Sequence, residues 1–125
     1  MVTLLWIDDE RPAPPGWAWA QDAREALDVL RAGGVTYASL DHDLGHERHD
    51  GTWLVRQMIA HRAWPKFKPG VHSSNWQAAA RMLWLIRTQG PYDEYALVNG
   101  ARAGRAPRTE PKTWPVRRLA RAARR

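Results

Sequence analysis

Two segments of the chain are apolar and end abruptly in acidic residues. Residues 2–7 form an apolar run that ends at Asp8, and residues 35–40 form a second run that ends at Asp41. Runs of this length and character are typical of buried strands. Residues 68–72 are a shorter and weaker strand candidate. The pattern therefore predicts strands that carry carboxylates at their C-terminal ends.

Apolar residues at helical spacing lie between and after these strands. The first helix is predicted to begin after Asp22, which can cap it together with Glu25, and to end before the glycines at 33–34. The second helix ends before Pro65, and the third ends before the Gly-Pro pair at 90–91. The predicted buried positions are Ala23, Ala26, Leu27 and Leu30 in the first helix, Leu54, Val55, Met58 and Ile59 in the second, and Trp76, Ala79, Ala80, Leu83 and Ile86 in the third.

A proline-rich loop is predicted between the first strand and the first helix. Residues 11–16 contain three prolines. Each proline removes a backbone donor and restricts the residue before it, so this stretch cannot form a helix interior. Residues 17–20 are predicted as a short strand after the loop, and residues 95–98 as one further strand.

Strands that alternate with helices predict the fold class. Parallel strands need crossover connections, so the pattern favours an α/β fold with a mostly parallel sheet of four to five strands. This domain is predicted to span residues 1–100. Residues 101–125 are predicted to form a basic tail, partly disordered or with a short helix at 114–124, because Arg, Ala, Gly and Pro dominate there.

Composition narrows the class of protein. The chain has 125 residues, of which 44% are apolar, and this size fits one domain with its own core. The lack of cysteine excludes a disulfide framework, a cysteine zinc site and a cysteine nucleophile. The short apolar run at the N-terminus fits neither a signal peptide nor a membrane span, so a cytoplasmic protein without membrane contact is expected.

Positive charge is concentrated in the tail. Residues 1–100 hold ten Lys/Arg and twelve Asp/Glu, a net charge of −2, whereas residues 101–125 hold nine Lys/Arg and one Glu, a net charge of +8. Such a segment can bind nucleic acid phosphates by releasing counterions, or it can act as a solubilising extension. The sequence slightly favours contact with a nucleic acid or another acidic partner.

Carboxylates at two neighbouring strand ends predict a metal site. Asp8, Asp9, Asp41 and Asp43 would lie together beyond the sheet, where a cation or a proton must offset their repulsion. Oxygen ligands favour Mg²⁺, or Mn²⁺ in its place, and Mg²⁺ leaves positions open for phosphate oxygens. The alternative is structural: aspartate is common wherever strands stop.

Other polar side chains near these strand ends suit phosphate chemistry. His42 and His72 are candidate general acids or bases, and Arg11 is a candidate phosphate ligand. Hydroxyl and amide groups after the weak strand can contact the phosphate, take part in catalysis, or cap the third helix. These residues are Ser73, Ser74 and Asn75.

Two further sets of residues have mainly structural interpretations. His46 and His49 are spaced to bind a transition metal with Asp43 if their loop is helical, but polar loops of this kind are more often merely solvated. The tryptophans on or near the helices are expected in the core or at its rim rather than as a base-stacking platform. They are Trp53, Trp64, Trp76 and Trp84.

Three motifs resemble one protein family. The sequences LWIDDERP at 5–12, SLDHDLG at 39–45 and VHSSN at 71–75 resemble those of cyclic-phosphate processing receiver domains, a divergent branch of response-regulator receivers. The resemblance covers about residues 2–88. It implies a flavodoxin-like three-layer fold and activity on cyclic phosphate ends or cyclic nucleotides.

The resemblance also implies roles for individual residues. Asp8 and Asp9 match the acidic pair that holds Mg²⁺ in receivers, and Ser73 matches the hydroxyl residue after the fourth strand. Asp41 directly follows its strand, as the receiver phosphoacceptor does, and is favoured for that position. Asp43 is the alternative, because it has the better spacing to residues 50–51.

The sequence departs from receivers where they carry a lysine after the fifth strand, since Asn99 stands there. The missing lysine and the missing first helix weaken the hypothesis of a phosphorylation switch. The added histidines suit catalysis instead. The leading hypothesis is a Mg²⁺-dependent phosphoesterase that acts on a cyclic or terminal phosphate of a nucleotide or RNA. The alternatives are an inactive module that binds a protein or nucleic acid through its surface and tail, and, ranked last, a true phosphoacceptor.

Overall fold

The computed structural model describes residues 2–92 and, in addition, the backbone of residues 96–98 and 101–104. Strands and helices alternate from the second strand to the third helix. The strands are β1 (Leu4–Ile7), β2 (Ala18–Ala20), β3 (Tyr37–Leu40), β4 (Gly70–Val71), β5 (Ala96–Val98) and β6 (Ala101–Gly104), and the helices are α1 (Ala23–Ala32), α2 (Gly51–His61) and α3 (Trp76–Gln89).

Four strands form one parallel sheet in the order β2-β1-β3-β4. This is the order of the first four strands in a flavodoxin-like sheet. The α/β class and the mostly parallel sheet predicted from the sequence are therefore confirmed. Strand β1 lies between two neighbours, with Leu5 opposite Ala18 of β2 and Ala38 of β3. Its central position explains why its sequence is an apolar run rather than an alternating one.

The three helices pack on one face of this sheet, α1 against α2 and α2 against α3. Right-handed crossovers that advance in one direction across a sheet place successive helices on the same face. Leu5 and Ile7 point into this layer and are at most 1% exposed. None of the helices in the described ranges has the length and apolar character needed to cross a membrane.

The proline-rich loop covers the opposite face of the sheet and replaces a helix there, as the sequence predicts. The Trp17 ring lies edge-on to Trp6 and to Tyr37, with ring centroids 5.8 and 5.9 Å apart. The indole N–H of Trp6 donates a hydrogen bond to the backbone carbonyl of Arg11 at 2.8 Å. These contacts fix the loop directly beside the carboxyl end of β1.

Polar side chains cap the N-terminus of each helix. Asp22 accepts a hydrogen bond from the N–H of Glu25 at 2.7 Å, which confirms the predicted cap of α1. Asp50 caps α2 in the same way. At α3, Asn75 accepts from the N–H of Ala78 at 3.1 Å, so it is the cap among the three residues that the sequence left open. Such caps satisfy donors that the first helical turn leaves free.

The buried face of α3 differs from the predicted one. Trp76 is 41% exposed, and Ala80 and Leu83 are only half-buried, although the spacing placed all three in the core. Met82 and Leu85 are buried instead. Apolar residues occupy much of the circumference of this helix, so spacing alone fits more than one face. Packing against α2 and β4 decides which face is inside.

The predicted fifth strand does not extend the parallel sheet. Strand β5 pairs antiparallel with β6 in a separate two-stranded sheet. Asn99 and Gly100 separate the two strands, and this dipeptide favours tight hairpin turns. Residue 101, the predicted start of the tail, is therefore the first residue of a strand. The rest of the predicted tail, including the helix at 114–124, lies outside the described residues.

Candidate metal and phosphate site

Three neighbouring strands end at one edge of the sheet, and a polar residue directly follows each of them. Asp8 follows β1, Asp41 follows β3 and His72 follows β4. Their ligand atoms lie within 4.8 Å of one another, and both aspartates are fully buried. We call these three residues the strand-end cluster. Polar residues were predicted to lie together at this edge, and the first residues after β1, β3 and β4 do so.

Asp8 is ionised and held by several donors. Its Oδ1 accepts hydrogen bonds from the N–H groups of Glu10 and Arg11, at 2.9 and 2.8 Å. Its Oδ2 lies 3.0 Å from His72 Nε2 and 3.3 Å from Arg11 Nε. Burial pushes the pKa of Asp8 upward, but these hydrogen bonds and the charge of Arg11 outweigh it, so the pKa lies below its usual value.

The His72 ring is fixed on three sides. Its Nδ1 lies 2.7 Å from Ser39 Oγ, and the Trp6 indole stacks on it with ring centroids 3.9 Å apart. Because Asp8 is ionised, Nε2 carries the hydrogen and donates to it, while Nδ1 accepts from the Ser39 hydroxyl. Burial lowers the pKa of His72, although Asp8 and Asp41 act in the opposite direction. The imidazole is therefore neutral at physiological pH.

Strand pairing and helix α2 together set the position of Asp41. Its N–H donates to the carbonyl of Ile7 at 3.0 Å, and its Oδ1 accepts from the N–H of His42 at 2.8 Å. Gly51, the first residue of α2, approaches closely from the other side. A Cβ at Gly51 would lie 2.5 Å from the Asp41 carbonyl oxygen. Only glycine allows this approach, which holds Asp41 between the sheet and the helix.

Asp9 lies beside the strand-end cluster but is not part of it. Its Oδ1 is buried and has no hydrogen-bond partner among the described residues. Its Oδ2 lies 3.0 Å from the place that a Cβ on Gly45 would occupy. Burial, followed by the negative charges of Glu10, Asp8 and Asp41, raises the pKa of Asp9. A cation would stabilise this buried oxygen, which no donor in the described chain satisfies.

Replacing Asp9 with asparagine is expected to stabilise the metal-free protein by about 1 kcal/mol at pH 7, because it removes a partly buried negative charge that lies beside other carboxylates. Since the folded state raises the pKa of Asp9, folding favours its protonated form. The stability contribution of Asp9 is fully present below the usual carboxyl pKa and is lost as pH rises through the raised value. The gain from Asp9→Asn should therefore shrink towards pH 4.

Urea unfolding in EDTA at pH 7 and pH 4 measures this difference. Asp43→Asn is the matched control, because Asp43 is exposed and its replacement is expected to change stability by less than about 0.5 kcal/mol. An Asp9→Asn protein less stable than the wild type at pH 7 would contradict the interpretation of Asp9 as an unsatisfied buried charge.

His42 and Asp43 pair with each other rather than with the strand-end cluster. His42 Nδ1 lies 2.9 Å from Asp43 Oδ1, and its Nε2 lies 3.3 Å from Asp50 Oδ2. Asp43 is 51% exposed, whereas Asp41 is buried. His42 borders a groove of about 280 Å³ between the N-terminal ends of α2 and α3. Other residues that line this groove are Thr52, Asn75, Gln77, Ala78 and Arg81.

The loop after β4 contains the remaining polar candidates. Ser73 Oγ accepts a hydrogen bond from the N–H of Asn75 at 3.0 Å, and Asn75 caps α3. Ser73 and Ser74 are half-buried, and Asn75 is exposed. The visible role of Ser73 and Asn75 is therefore to shape the entry into α3, and the roles of all three in phosphate binding or catalysis stay predictions.

Arg11 links the proline-rich loop to the site. Its guanidinium Nε forms an ion pair with Asp8 but lacks the geometry of a hydrogen bond to it. Another guanidinium nitrogen donates to the carbonyl of His72 at 3.4 Å. The side chain is 41% exposed, so an anion from solvent can reach it beside the strand-end cluster.

The rings of His46 and His49 contact each other and the first turn of α2. The two rings stack with centroids 4.5 Å apart, and the His49 ring also lies 4.3 Å from the Trp53 ring. His46 Nδ1 accepts hydrogen bonds from the N–H groups of Arg48 and His49. Within residues 2–92, three side chains with ligand atoms close enough to hold one metal ion occur at the strand-end cluster and not in this loop.

Comparison with known families agrees with this architecture. Residues 3–88 match the family described as the cyclic-phosphate processing receiver domain, which is more than half of the chain. The chain belongs to this family. No curated protein and no solved structure matched it. In this cyclic-phosphate processing receiver domain, the match covers the whole strand-end cluster. Asn99, the residue predicted to stand in place of the receiver lysine, lies beyond the match and outside the described residues.

Two residues of the receiver domain belong to its site although the sequence did not single them out. Trp6 and Ser39 lie opposite each other in the register of β1 and β3, and both contact His72. A usable signal was present: Ser39 is a polar residue inside an apolar strand, two positions before Asp41. Alternation along a strand places Ser39 on the face away from the helices.

Proposed function

We propose that this domain is a divalent-metal-dependent phosphoesterase that processes a cyclic or terminal phosphate of a nucleotide or RNA. The observation that carries the proposal is the strand-end cluster, with two buried carboxylates and an imidazole within 4.8 Å. Membership in a cyclic-phosphate processing family supports phosphate chemistry. The cluster also lies at the carboxyl edge of a parallel sheet, which is where α/β folds bind their substrates.

The residues fit a divalent cation of the Mg²⁺ or Mn²⁺ type. Asp8 and Asp41 offer buried carboxylate oxygens, and Asp9 adds a buried oxygen without a partner among the described residues. Carboxylates suit both ions. When bound, such an ion would neutralise charge on a phosphate oxygen and acidify a water molecule.

Arg11 and the hydroxyls after β4 are proposed to hold the phosphate. The Arg11 guanidinium is partly exposed beside Asp8, and guanidinium groups match phosphate oxygens in charge and geometry. Ser73 and Ser74 follow His72 at the same edge of the sheet and supply hydroxyl donors. These contacts would orient the phosphorus atom towards the strand-end cluster.

His42 is proposed to exchange the proton with the leaving oxygen. It directly follows Asp41, and contacts with Asp43 and Asp50 fix its ring. The groove that it shares with Asn75 gives a substrate access to the ring from solvent. General acid–base catalysis of this kind typically contributes about 10²- to 10⁴-fold to a rate.

The test is turnover of an RNA oligonucleotide with a 2′,3′-cyclic phosphate end, and of cyclic mononucleotides, by the full chain. Water is added as one P–O ester bond breaks, which yields one hydroxyl and one linear phosphomonoester. We expect conversion with Mg²⁺ or Mn²⁺ and none in EDTA, measured by chromatography and phosphorus NMR. Lack of conversion of every substrate with both ions would contradict the proposed activity.

A second candidate is an inactive receiver-like module that binds a protein or nucleic acid. The observation in its favour is that Arg11 and His72 already contact Asp8, which balances this carboxylate without a metal. In that case the surface and the basic residues of 101–125 would supply the contacts. RNA binding without turnover, lost when the Lys and Arg residues of 105–125 are replaced by Gln, would favour this candidate.

A further inference from the structure

We propose that His72 Nε2 is a metal ligand, and that the site therefore binds a first-row transition-metal ion such as Mn²⁺ in preference to Mg²⁺. The observation is the juxtaposition of this nitrogen with the buried carboxylates of Asp8 and Asp41. The inference deepens the proposed function and rests on its metal site. Metal binding is measured without turnover, so the two proposals can fail separately.

The spacing of the donor atoms suits coordination of one ion. Ligands that bind one ion at about 2.1 Å and at right angles lie about 3.0 Å apart. The distance from His72 Nε2 to Asp8 Oδ2 is 3.0 Å. The ligand atoms of Asp41 lie within 4.8 Å of both, so only a small adjustment brings all three donors around one ion.

The chemistry of the donor set distinguishes Mg²⁺ from transition-metal ions. An all-oxygen set, as the family resemblance implies for Asp8, Asp9 and Asp41, suits Mg²⁺. Here the imidazole of His72, and not the Asp9 carboxylate, joins Asp8 and Asp41 in the group of ligand atoms that lie within 4.8 Å of one another. Carboxylates suit Mg²⁺ and Mn²⁺ alike, whereas imidazole is a poor ligand for Mg²⁺ and a better one for first-row transition-metal ions, among which Mn²⁺ binds it least strongly. The mixed set of two carboxylates and one imidazole therefore shifts the preference towards Mn²⁺.

Ser39 allows His72 to act as a ligand. A ligating Nε2 must present its lone pair, which moves the ring hydrogen to Nδ1. Nδ1 lies 2.7 Å from Ser39 Oγ, and a hydroxyl can accept from Nδ1–H as readily as it donates to a bare Nδ1. Ser39 thus satisfies both tautomers of His72. It is a positioning residue, and partners of this kind typically change metal affinity about 10- to 100-fold.

Trp6 holds the plane of the same ring. Its indole is parallel to the imidazole within 6°, and its N–H is anchored on the Arg11 carbonyl. The ring of His72 therefore has little freedom to rotate Nε2 away from Asp8. A ligand that is already oriented loses less conformational entropy when the ion binds.

The experiment is a titration of the full chain with Mn²⁺, followed by electron paramagnetic resonance, with Mg²⁺ as competitor. Pulsed measurements on the Mn²⁺ complex detect a directly coordinated ¹⁴N nucleus. We expect one bound Mn²⁺ with nitrogen coupling, and displacement only by Mg²⁺ in at least about 100-fold excess. This readout on the wild-type protein does not depend on the folding of any variant.

Variants locate the nitrogen donor. His72→Asn should abolish the nitrogen coupling and reduce the preference for Mn²⁺ over Mg²⁺ at least about 10-fold, and Ser39→Ala should weaken Mn²⁺ binding about 10-fold while the coupling is kept. His61→Asn is the matched control, because His61 is exposed at the end of α2, and it should change neither quantity. Circular dichroism checks that each variant is folded.

Bound Mn²⁺ without nitrogen coupling, or an unchanged ion preference in folded His72→Asn, would overturn the inference and leave a metal-dependent phosphoesterase intact. Absence of Mn²⁺ binding would overturn the inference as well. Nitrogen-coupled Mn²⁺ in a protein without turnover supports the inference and refutes the proposed activity instead.

Discussion

Replacing Asp41 with asparagine is expected to lower metal-dependent turnover at least about 10³-fold, equivalent to about 4 kcal/mol of transition-state stabilisation. Asparagine keeps the shape of the side chain and the oxygen that accepts the His42 N–H, so the variant should fold. It removes one of the two buried negative charges of the strand-end cluster. Because a bound metal contributes several kcal/mol to phosphoryl chemistry, loss of this charge removes most of the effect.

Two controls in the same loop sharpen this prediction. Asp43→Asn should lower turnover by no more than about tenfold, because Asp43 is exposed and its ion pair is with the proposed proton carrier His42. Glu47→Gln changes an exposed charge outside the site and should leave turnover unchanged. Values of kcat/KM under identical metal concentrations give the comparison. A larger loss in Asp43→Asn than in Asp41→Asn would assign the principal role to Asp43, against the geometry described above.

Replacing Gly51 with alanine is expected to reduce the free energy of unfolding by about 3 kcal/mol, at the upper end of the cost of overpacking. The added methyl group would lie 2.5 Å from the Asp41 carbonyl oxygen and 2.7 Å from the His42 Cα, and both are backbone atoms. Neither atom can move without disturbing the pairing of Asp41 with Ile7. The variant should therefore also lose Mn²⁺ affinity, because α2 must shift away from the site.

Gly16→Ala is the matched control for Gly51→Ala. It adds the same methyl group where no atom lies within 4 Å, so its cost is limited to the strain of a side chain at φ +87°, about 1 kcal/mol. Urea unfolding followed by circular dichroism gives both values. Equal losses in the two variants would show that α2 tolerates a side chain at Gly51 and would remove the argument that it clamps Asp41.

The local elements were largely predictable because their signals are local. The β1 segment is apolar throughout, which marks a strand buried in the middle of a sheet. Asp22 with Glu25 predicted the start of α1 correctly. The predicted buried face of α3 was wrong. Apolar residues lie on many sides of this helix, so only its packing against α2 and β4 decides which side is buried. The sequence predicted a strand at residues 95–98 but not its pairing with β6, because pairing is a long-range choice.

The candidate site was likewise predictable in part. The sequence indicated that acidic residues end neighbouring strands, since Asp8 and Asp41 directly follow their apolar runs. It could not rank His72 above His42, because both histidines stand next to a strand end. The structure separates them: His72 contacts Asp8 and Ser39, whereas His42 contacts Asp43 and Asp50.

The sequence by itself determined that this is an α/β receiver domain with carboxylates at the ends of its strands, because strand burial, helix capping and proline breaks are encoded within a few residues. Only the tertiary structure decided that Asp8, Asp41 and His72 form the cluster. The reason is register: β1, β3 and β4 pair so that the first residue after each strand arrives at the same point. Trp6 of β1 and Ser39 of β3 are far apart in sequence, but they lie opposite each other in the sheet and both contact His72.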